Sequence, residues 1–216
     1  MQTPLLTSPA ASKSHLVLKP SMTRRAIRLL LCLFGGALAP GIAPFPALGE
    51  EISSAYTPLE LDKCKDVTPA DAKEYGTVWR CQGYDGIDVQ VAEGDLRIFV
   101  SFGPNADSQT AAEDTLPQFN TIAEKLEWRL AQDGGKWKPF ATILRYGWKI
   151  DGRSGGTLVV TKLGKDDACH MAYIVASGNP KANEQARAIA DAHGRNFVCK
   201  RDTAKHYDAA GCETTP

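Results

Sequence analysis

The chain has 216 residues, and its 25 Lys and Arg side chains balance 25 Asp and Glu side chains. Five of the basic residues and none of the acidic ones lie in the first 49 positions, so the remaining 167 residues carry 20 basic against 25 acidic side chains, a net charge of −5. A mildly acidic domain without a Lys/Arg cluster has no electrostatic footprint for nucleic acid, and its length suits one domain with one core.

The first 49 residues have the organisation of an export signal. Three arginines between residues 24 and 28 precede an apolar run over residues 29–34, and Ala47 and Gly49 are small residues of the kind that a signal peptidase requires. We predict cleavage after Gly49, with Met22 as a second candidate start. Export by the general secretory route is expected, although the neighbouring arginines also resemble a twin-arginine signal.

No membrane anchor is expected to remain after cleavage. The apolar run is well short of the roughly 20 residues that a spanning helix needs, and prolines at positions 40, 44 and 46 would interrupt a helix. The mature protein is therefore predicted to be periplasmic or secreted.

Five cysteines follow the leader, and in an exported protein their default state is a disulfide. Proximity in sequence predicts bonds from Cys64 to Cys81 and from Cys169 to Cys199. Each bond would stabilise the fold by about 3 to 4 kcal/mol on the chain-entropy model. Cys212 is left over as a free thiol, an intermolecular link or a competitor of Cys199 for Cys169.

Short apolar and alternating segments separated by turn residues predict eight strands. Ile87, Val89 and Val91 alternate with polar residues, which is typical of a sheet with one face in water. The predicted strands cover residues 56–65, 77–81, 87–92, 96–102, 125–131, 140–150, 157–163 and 168–176, and residues 197–200 are a candidate ninth strand.

A helix is predicted between Asn179 and Gly194. Asn179 suits the N-cap, Pro180 suits the first helical position and Gly194 suits a left-handed C-terminal stop, while a thin alanine-rich face permits close packing on a sheet. We expect a single α+β domain over residues 50–200, with a mainly antiparallel sheet, one C-terminal helix and two disulfides. Residues 201–216 are expected to form a flexible tail.

Four arginines, each in a different predicted strand, are the candidate ligand-binding residues: Arg80, Arg97, Arg129 and Arg145. If these strands are neighbours and the side chains share a face, their guanidinium groups would make a surface suited to carboxylates, phosphates or acidic polymers. The alternative is a solvated sheet face on which the arginines pair with acidic residues of neighbouring strands.

No motif indicates catalysis, a metal or a cofactor. Cys169 and His170 are adjacent on a predicted strand, so their side chains point to opposite faces and cannot act as nucleophile and base. A disulfide at Cys169 with an exposed histidine beside it is the expectation. The histidines lack ligand spacing, no Cys-x-x-Cys pair exists, and no glycine-rich phosphate loop follows a strand.

Several segments resemble a group of small secreted proteins of alphaproteobacteria. They are LELDKC at residues 59–64, WRCQGYDG at 79–86, EGDLRIFVSFG at 93–103, PFATILR at 139–145 and CHMAYIVA at 169–176. That group has no assigned activity, so the resemblance implies export and disulfide bonds without implying a particular function.

The sequence favours a non-enzymatic binding protein of the cell envelope, whose partner is an envelope protein, a polymer or a small ligand. One alternative is a cell-wall or glycan hydrolase with carboxylates such as Glu93 with Asp95, or Asp85 with Asp88, in the strand connections. Another is a structural envelope protein linked through Cys212. Acidic residues beside glycine are more often turn formers, which weighs against the hydrolase.

Overall fold

The structure of this protein is a computed structural model, which describes residues 51–215. The predicted leader over residues 1–49, its cleavage site after Gly49 and the candidate start at Met22 lie outside the described residues. Between residues 51 and 215, no helix is long and apolar enough to span a bilayer.

The described part of the chain contains eleven strands and one α-helix. The strands are β1 (Ile52–Pro58), β2 (Lys65–Asp66), β3 (Gly76–Gln82), β4 (Asp88–Gly94), β5 (Arg97–Phe102), β6 (Asn120–Asp133), β7 (Lys136–Ile150), β8 (Arg153–Leu163), β9 (Ala168–Val175), β10 (Lys205–Tyr207) and β11 (Glu213–Thr214), and the helix is α1 (Ala182–His193). The predicted α+β class, with mainly antiparallel strands and one helix, is confirmed.

The strands form two sheets. One has seven strands in the order β1-β6-β7-β8-β9-β10-β11, and the other has four in the order β2-β3-β4-β5. All neighbouring pairs are antiparallel except β9 and β10. Val91 and Phe102 of the four-stranded sheet belong to the same core cluster as Leu126 and Trp128 of the seven-stranded sheet. The smaller sheet therefore covers one face of the larger one.

The helix α1 covers the opposite face of the seven-stranded sheet. Ala182, Ala186 and Ala190 are buried together with Ile143 and Val160 of the sheet, as the alanine-rich face predicts. Small side chains let the helix approach the strands closely, so the domain has three layers.

The end of α1 differs from the prediction. Gly194 has a φ of −55° and is right-handed, so it does not form the predicted left-handed stop. Glycine is needed here for space, because a Cβ at this position would lie 2.9 Å from Cδ2 of Phe140. The helix also begins later than predicted, at Ala182, and Asn179 accepts a hydrogen bond from the Lys181 amide in the turn before it.

The first predicted strand, residues 56–65, is in fact two strands of different sheets. β1 pairs with β6 in the large sheet, and after a 3-10 turn at Leu61–Lys63 the short β2 pairs with β3 in the small sheet. β6 and β7 are also longer than predicted, with 14 and 15 residues. Pairing with long neighbours extends these strands through polar residues that local periodicity does not mark as strand.

The predicted flexible tail also requires correction. β10 adds to β9 as a parallel strand and β11 pairs with β10. The His206 ring stacks on Tyr173 with centroids 4.7 Å apart, and Gln185 of α1 donates a hydrogen bond of 2.9 Å to the Gly211 carbonyl. Apart from the local pairing of β10 with β11, these contacts are with residues distant in sequence. Residues 197–200, the candidate ninth strand, form a turn instead.

Side chains from the loop after β5 cap the outer edge of that strand. The side-chain oxygen Oδ1 of Asn120 accepts a hydrogen bond from the Ile98 backbone amide at 2.9 Å. The Thr115 hydroxyl donates a hydrogen bond to the Ile98 backbone carbonyl at 2.5 Å. Gln109 bonds both the amide and the carbonyl of Phe102, at 2.9 and 2.6 Å. The loop over residues 103–119 therefore substitutes for a further strand and protects an edge that would otherwise be open to pairing.

Both predicted disulfides are present, one within the small sheet and the other between the large sheet and the segment after α1. Cys64 and Cys81 lie next to each other at the edge of the small sheet, with Cα atoms 4.6 Å apart. Cys169 of β9 is bonded to Cys199 after α1, with Cα atoms 5.6 Å apart, and so holds the end of the helix segment to the sheet. Cys212 is an exposed free thiol.

We expect a thiol-alkylating reagent to label one cysteine of the purified mature protein in the absence of reductant. Cys212 is the exposed free thiol, whereas the other four sulfurs are covalently paired. Intact-mass spectrometry measures the label count, and Cys212→Ser is the control that removes the label. Labelling of three or more cysteines would contradict the two bonds.

Candidate functional site

The four candidate arginines do not form one surface. Arg80 and Arg97 belong to β3 and β5 of the small sheet, whereas Arg129 and Arg145 belong to β6 and β7 of the large sheet. Arg80 is exposed, and Arg97 forms an ion pair of 2.6 Å with Asp95 at the neighbouring turn. The combined ligand surface expected from the sequence is therefore absent, because the strands lie in two different sheets.

Arg129 is buried beneath α1 and holds the helix. Its Nε and Nη2 atoms donate to the two carboxylate oxygens of Asp191 at 2.8 and 2.7 Å, and Nη1 donates to the Ser54 hydroxyl. Only 8% of the Arg129 side chain is exposed. This guanidinium has its hydrogen bonds inside the protein, so Arg129 acts in the fold and is not accessible to a ligand.

A second ion pair lies beside the first. Glu127 is buried on the same face of β6, accepting from Arg187 Nε of α1 at 2.6 Å and from the Ser54 hydroxyl at 2.6 Å. The hydrogen bond to the Glu127 carboxylate raises the pKa of Arg187 above its ordinary value. Glu127 Oε1 and Arg129 Nη1, two residues apart on β6, are 3.9 Å apart, so their contact is weaker than the pairs that each makes with the helix.

His170 is buried, although the sequence predicted an exposed histidine. The pairing of β8 with β9 shifts register next to Thr161, and His170 is 4% exposed. Its Nδ1 atom lies 2.9 Å from the Tyr173 hydroxyl, and the two rings meet edge to face. Burial lowers the pKa of His170 from 6.5 to about 4, so the imidazole is neutral at pH 7. Its neighbour Cys169 is in a disulfide and cannot act as a nucleophile.

Turn geometry and ion pairing account for two of the carboxylates of the hydrolase alternative. Asp95 is at the tip of the β4–β5 turn and pairs with Arg97, and Asp85 has a φ of 50° in a turn. Glu93 lines a cleft that Asp95 does not line. Within residues 51–215, no three His, Cys, Asp or Glu side chains are grouped so that they could hold a metal ion.

The strongest candidate site is a cleft of about 530 Å³ between the two sheets. The β4–β5 turn and the loop before β6 form one side, and the end of β7 with the start of β8 forms the other. We call it the apolar cleft, and its largest apolar lining residues are Leu96, Ile98, Phe119 and Trp148. Glu93 and Lys149 also line it. No local pattern in the sequence indicates this site, because its walls come from four separate segments between residues 93 and 155.

The rim of the apolar cleft is exposed and conformationally unusual. Leu96 is 62% exposed and Phe119 is 55% exposed. Asp95 and Leu96 have φ values of 53° and 58°, which form a two-residue turn between the paired Gly94 and Arg97. Such turns favour Asn-Gly or Asp-Gly, and a leucine in left-handed backbone costs roughly 1–2 kcal/mol.

The floor of the apolar cleft is rigid. The Trp148 indole donates a hydrogen bond of 3.1 Å to the Thr157 hydroxyl and lies flat across Gly155. A Cβ at Gly155 would lie 2.2 Å from Cζ2 of Trp148, so only glycine leaves room for the ring. The turn on the other side is held by a hydrogen bond of 3.0 Å from the Asn120 amide to the Leu96 carbonyl. The cleft can accept an apolar group without rearrangement of its walls.

We expect Asp191→Ala to destabilise the protein by about 2–3 kcal/mol, because it leaves the buried Arg129 without its carboxylate. In the double variant Arg129→Met with Asp191→Leu, much of this loss should be recovered, since no unpaired charge remains. Urea unfolding measures both. A loss below about 0.5 kcal/mol for Asp191→Ala would contradict the anchoring role of the pair.

We also expect His170 to make the protein less stable as the pH falls from 6.5 to 4. In this range the unfolded chain binds a proton at this residue and the folded protein does not, so unfolding is favoured by up to about 3 kcal/mol at pH 4. His170→Gln should lack this part of the pH dependence in urea titrations at several pH values. His193→Gln, at the exposed end of α1, is the control, and equal slopes for both variants would contradict the assignment.

The comparisons with known proteins give this chain no family. No family model matches it, and neither a curated protein nor a solved structure is significantly similar to it. The function must therefore be argued from the geometry of this molecule.

Proposed function

We propose that this protein is a non-enzymatic binding protein of the cell envelope, periplasmic or secreted, that holds a partner protein in the apolar cleft. The observation that carries the proposal is Leu96, a large apolar side chain that is 62% exposed on a left-handed backbone. Two disulfides are consistent with an oxidising compartment outside the cytoplasm.

Leu96 does not serve the stability of the isolated domain. It has little burial, and an asparagine or glycine would suit the turn better by about 1 kcal/mol. Strain at an exposed position is typical of residues that contact a partner. Full burial of Leu96 or Phe119 by a partner would stabilise the complex by about 1.5–3 kcal/mol for each side chain.

The chemistry of the cleft favours a polypeptide over a glycan. A sugar would need free hydrogen-bonding groups on the walls, yet the Asn120 carboxamide is committed to Ile98 and to the Gln118 carbonyl at 2.9 and 2.8 Å. Apart from Glu93 and Lys149, the remaining large lining residues are aliphatic or aromatic. A cleft of about 530 Å³ accommodates one or two large apolar side chains of a partner, and Glu93 and Lys149 can orient its polar flanks.

We expect Leu96→Asn to weaken partner binding by about 10-fold or more, since it removes an apolar anchor while keeping the turn. The tagged mature domain captures proteins from envelope extract, and each identified partner is purified and titrated against the variants. Val198→Asn, a substitution of another exposed apolar residue that is 41% exposed, is the matched control and should bind like the unmodified protein.

Two results would contradict the proposal. One is equal affinity of Leu96→Asn and the unmodified protein for every purified partner. The other is retention on isolated peptidoglycan that does not change with Leu96→Asn, which would indicate a polymer ligand at another surface. Leu96→Asn should also be more stable to urea by about 1 kcal/mol, and this gain excludes misfolding as the cause of lost binding.

A further inference from the structure

A second groove lies on the opposite face of the large sheet, beside α1. It has a volume of about 270 Å³, and its polar lining includes Tyr56 of β1, Lys125 and Glu127 of β6, Arg145 of β7 and Arg187 of α1. We call it the cationic groove. It faces away from the apolar cleft, whose Trp148 belongs to the core cluster on the other side of the sheet.

The charges of the cationic groove are not balanced. Glu127 is the carboxylate that lines it, and its oxygens already accept from Ser54 at 2.6 Å and from Arg187 at 2.6 and 3.2 Å. Among residues 51–215, the Arg145 guanidinium has no carboxylate partner and makes no hydrogen bond. Within the same residues, the Lys125 ammonium contacts only the Tyr56 ring, whose centroid is 5.9 Å from Nζ. Three cations therefore surround a groove whose single anion is used.

An irregularity of the sheet lies between two of these cations. Leu126 pairs with Leu144 and Ile122 with Tyr146, so residues 123–125 of β6 lie opposite Arg145 alone. Regular pairing beyond Leu126 would place Lys125 directly against Arg145, and like charges facing each other across strands are destabilising. The irregularity separates the two residues from direct pairing, yet both still line the groove. Irregular pairing that redirects side chains is frequent beside binding sites.

We propose that the cationic groove binds the phosphate group of a phosphate monoester, either a small soluble ester or the headgroup of phosphatidic acid. Lys125, Arg145 and Arg187 with Glu127 have a combined charge of +2. A phosphate monoester carries about −1.5 to −2 at pH 7, so it neutralises this excess. The Arg145 guanidinium has its donors free for bidentate bonds to phosphate oxygens, and Lys125 adds a point charge.

The groove is built on a rigid base. Arg187 is fixed by Glu127, and the adjacent Arg129–Asp191 pair holds α1 to the sheet at 2.8 and 2.7 Å. The position of Arg187 is thus set before a ligand arrives, which reduces the entropy that binding must overcome. Arg145 is a candidate from the sequence, whereas Lys125 comes beside it through the pairing of β6 with β7 and Arg187 through the packing of α1 on β6.

Calorimetric titration of the mature protein with glycerol 1-phosphate, and sedimentation with vesicles containing phosphatidic acid, test the two sources separately. Binding in either arm, weakened about 10-fold by Arg145→Gln and several-fold by Lys125→Gln, would support the proposal and identify the source. Arg153→Gln, which removes an equal charge from an exposed position of β8, should leave the affinity unchanged.

Thermal unfolding in phosphate-free buffer measures the stability of each variant without ligand, and so tests whether Arg145 serves the fold. Arg145→Gln should unfold at the same or a higher temperature than the unmodified protein, because it removes an uncompensated charge, and it should gain less stability from added ester. Three outcomes would overturn the proposal: no binding in either arm, equal binding by Arg145→Gln, or a clear loss of stability in Arg145→Gln without ligand. The last outcome would mean that Arg145 serves the fold.

Discussion

The fold depends on the burial of both faces of the β6–β7 hairpin. On one face, Trp128 is fully buried and meets Phe102 of the small sheet edge to face, with ring centroids 5.7 Å apart. On the other face, Ile143 and Arg129 lie beneath α1. Every other layer attaches to this hairpin: the small sheet packs on one side, the helix packs on the other, and β1 and β8 pair with its two edges. Both candidate binding surfaces lie along it.

The helix face of the hairpin combines apolar packing with charge. Alternation in β6 places Glu127 and Arg129 on one side, a pattern that usually indicates a solvated face. Here the side is covered, and the charges are satisfied by Arg187 and Asp191 of α1. Ion pairs of this kind contribute little net stability compared with apolar packing, but they penalise any other placement of the helix. The thin alanine face of α1 would allow it to slide along the strands, and the two pairs oppose such a displacement.

Two grooves on opposite sides of the sheet have a feature in common. Each contains residues that do not stabilise the isolated domain. At the apolar cleft this residue is Leu96, which has a left-handed backbone, and at the cationic groove Lys125 lies near Arg145 without a counter-ion. Natural proteins retain such local costs where a ligand or partner compensates them. The two grooves share no lining residue and lie on opposite faces of the sheet, so the protein partner and the phosphate group proposed for them do not compete for space.

Local sequence was sufficient to predict much of the secondary structure and both disulfides. Alternation in β4 and β6, turn residues between strands and the short spacing of the cysteines all depend on neighbours in the chain, so they can be recognised without the fold. Tertiary structure decided the rest, including the division into two sheets, the ordering of the segment after Cys199 by β9 and the separation of Arg80 and Arg97 from Arg129 and Arg145. These features depend on pairing and packing between residues far apart in sequence. Such contacts produce no periodic pattern of apolar residues in either of the two segments that make them, so the local sequence does not reveal them.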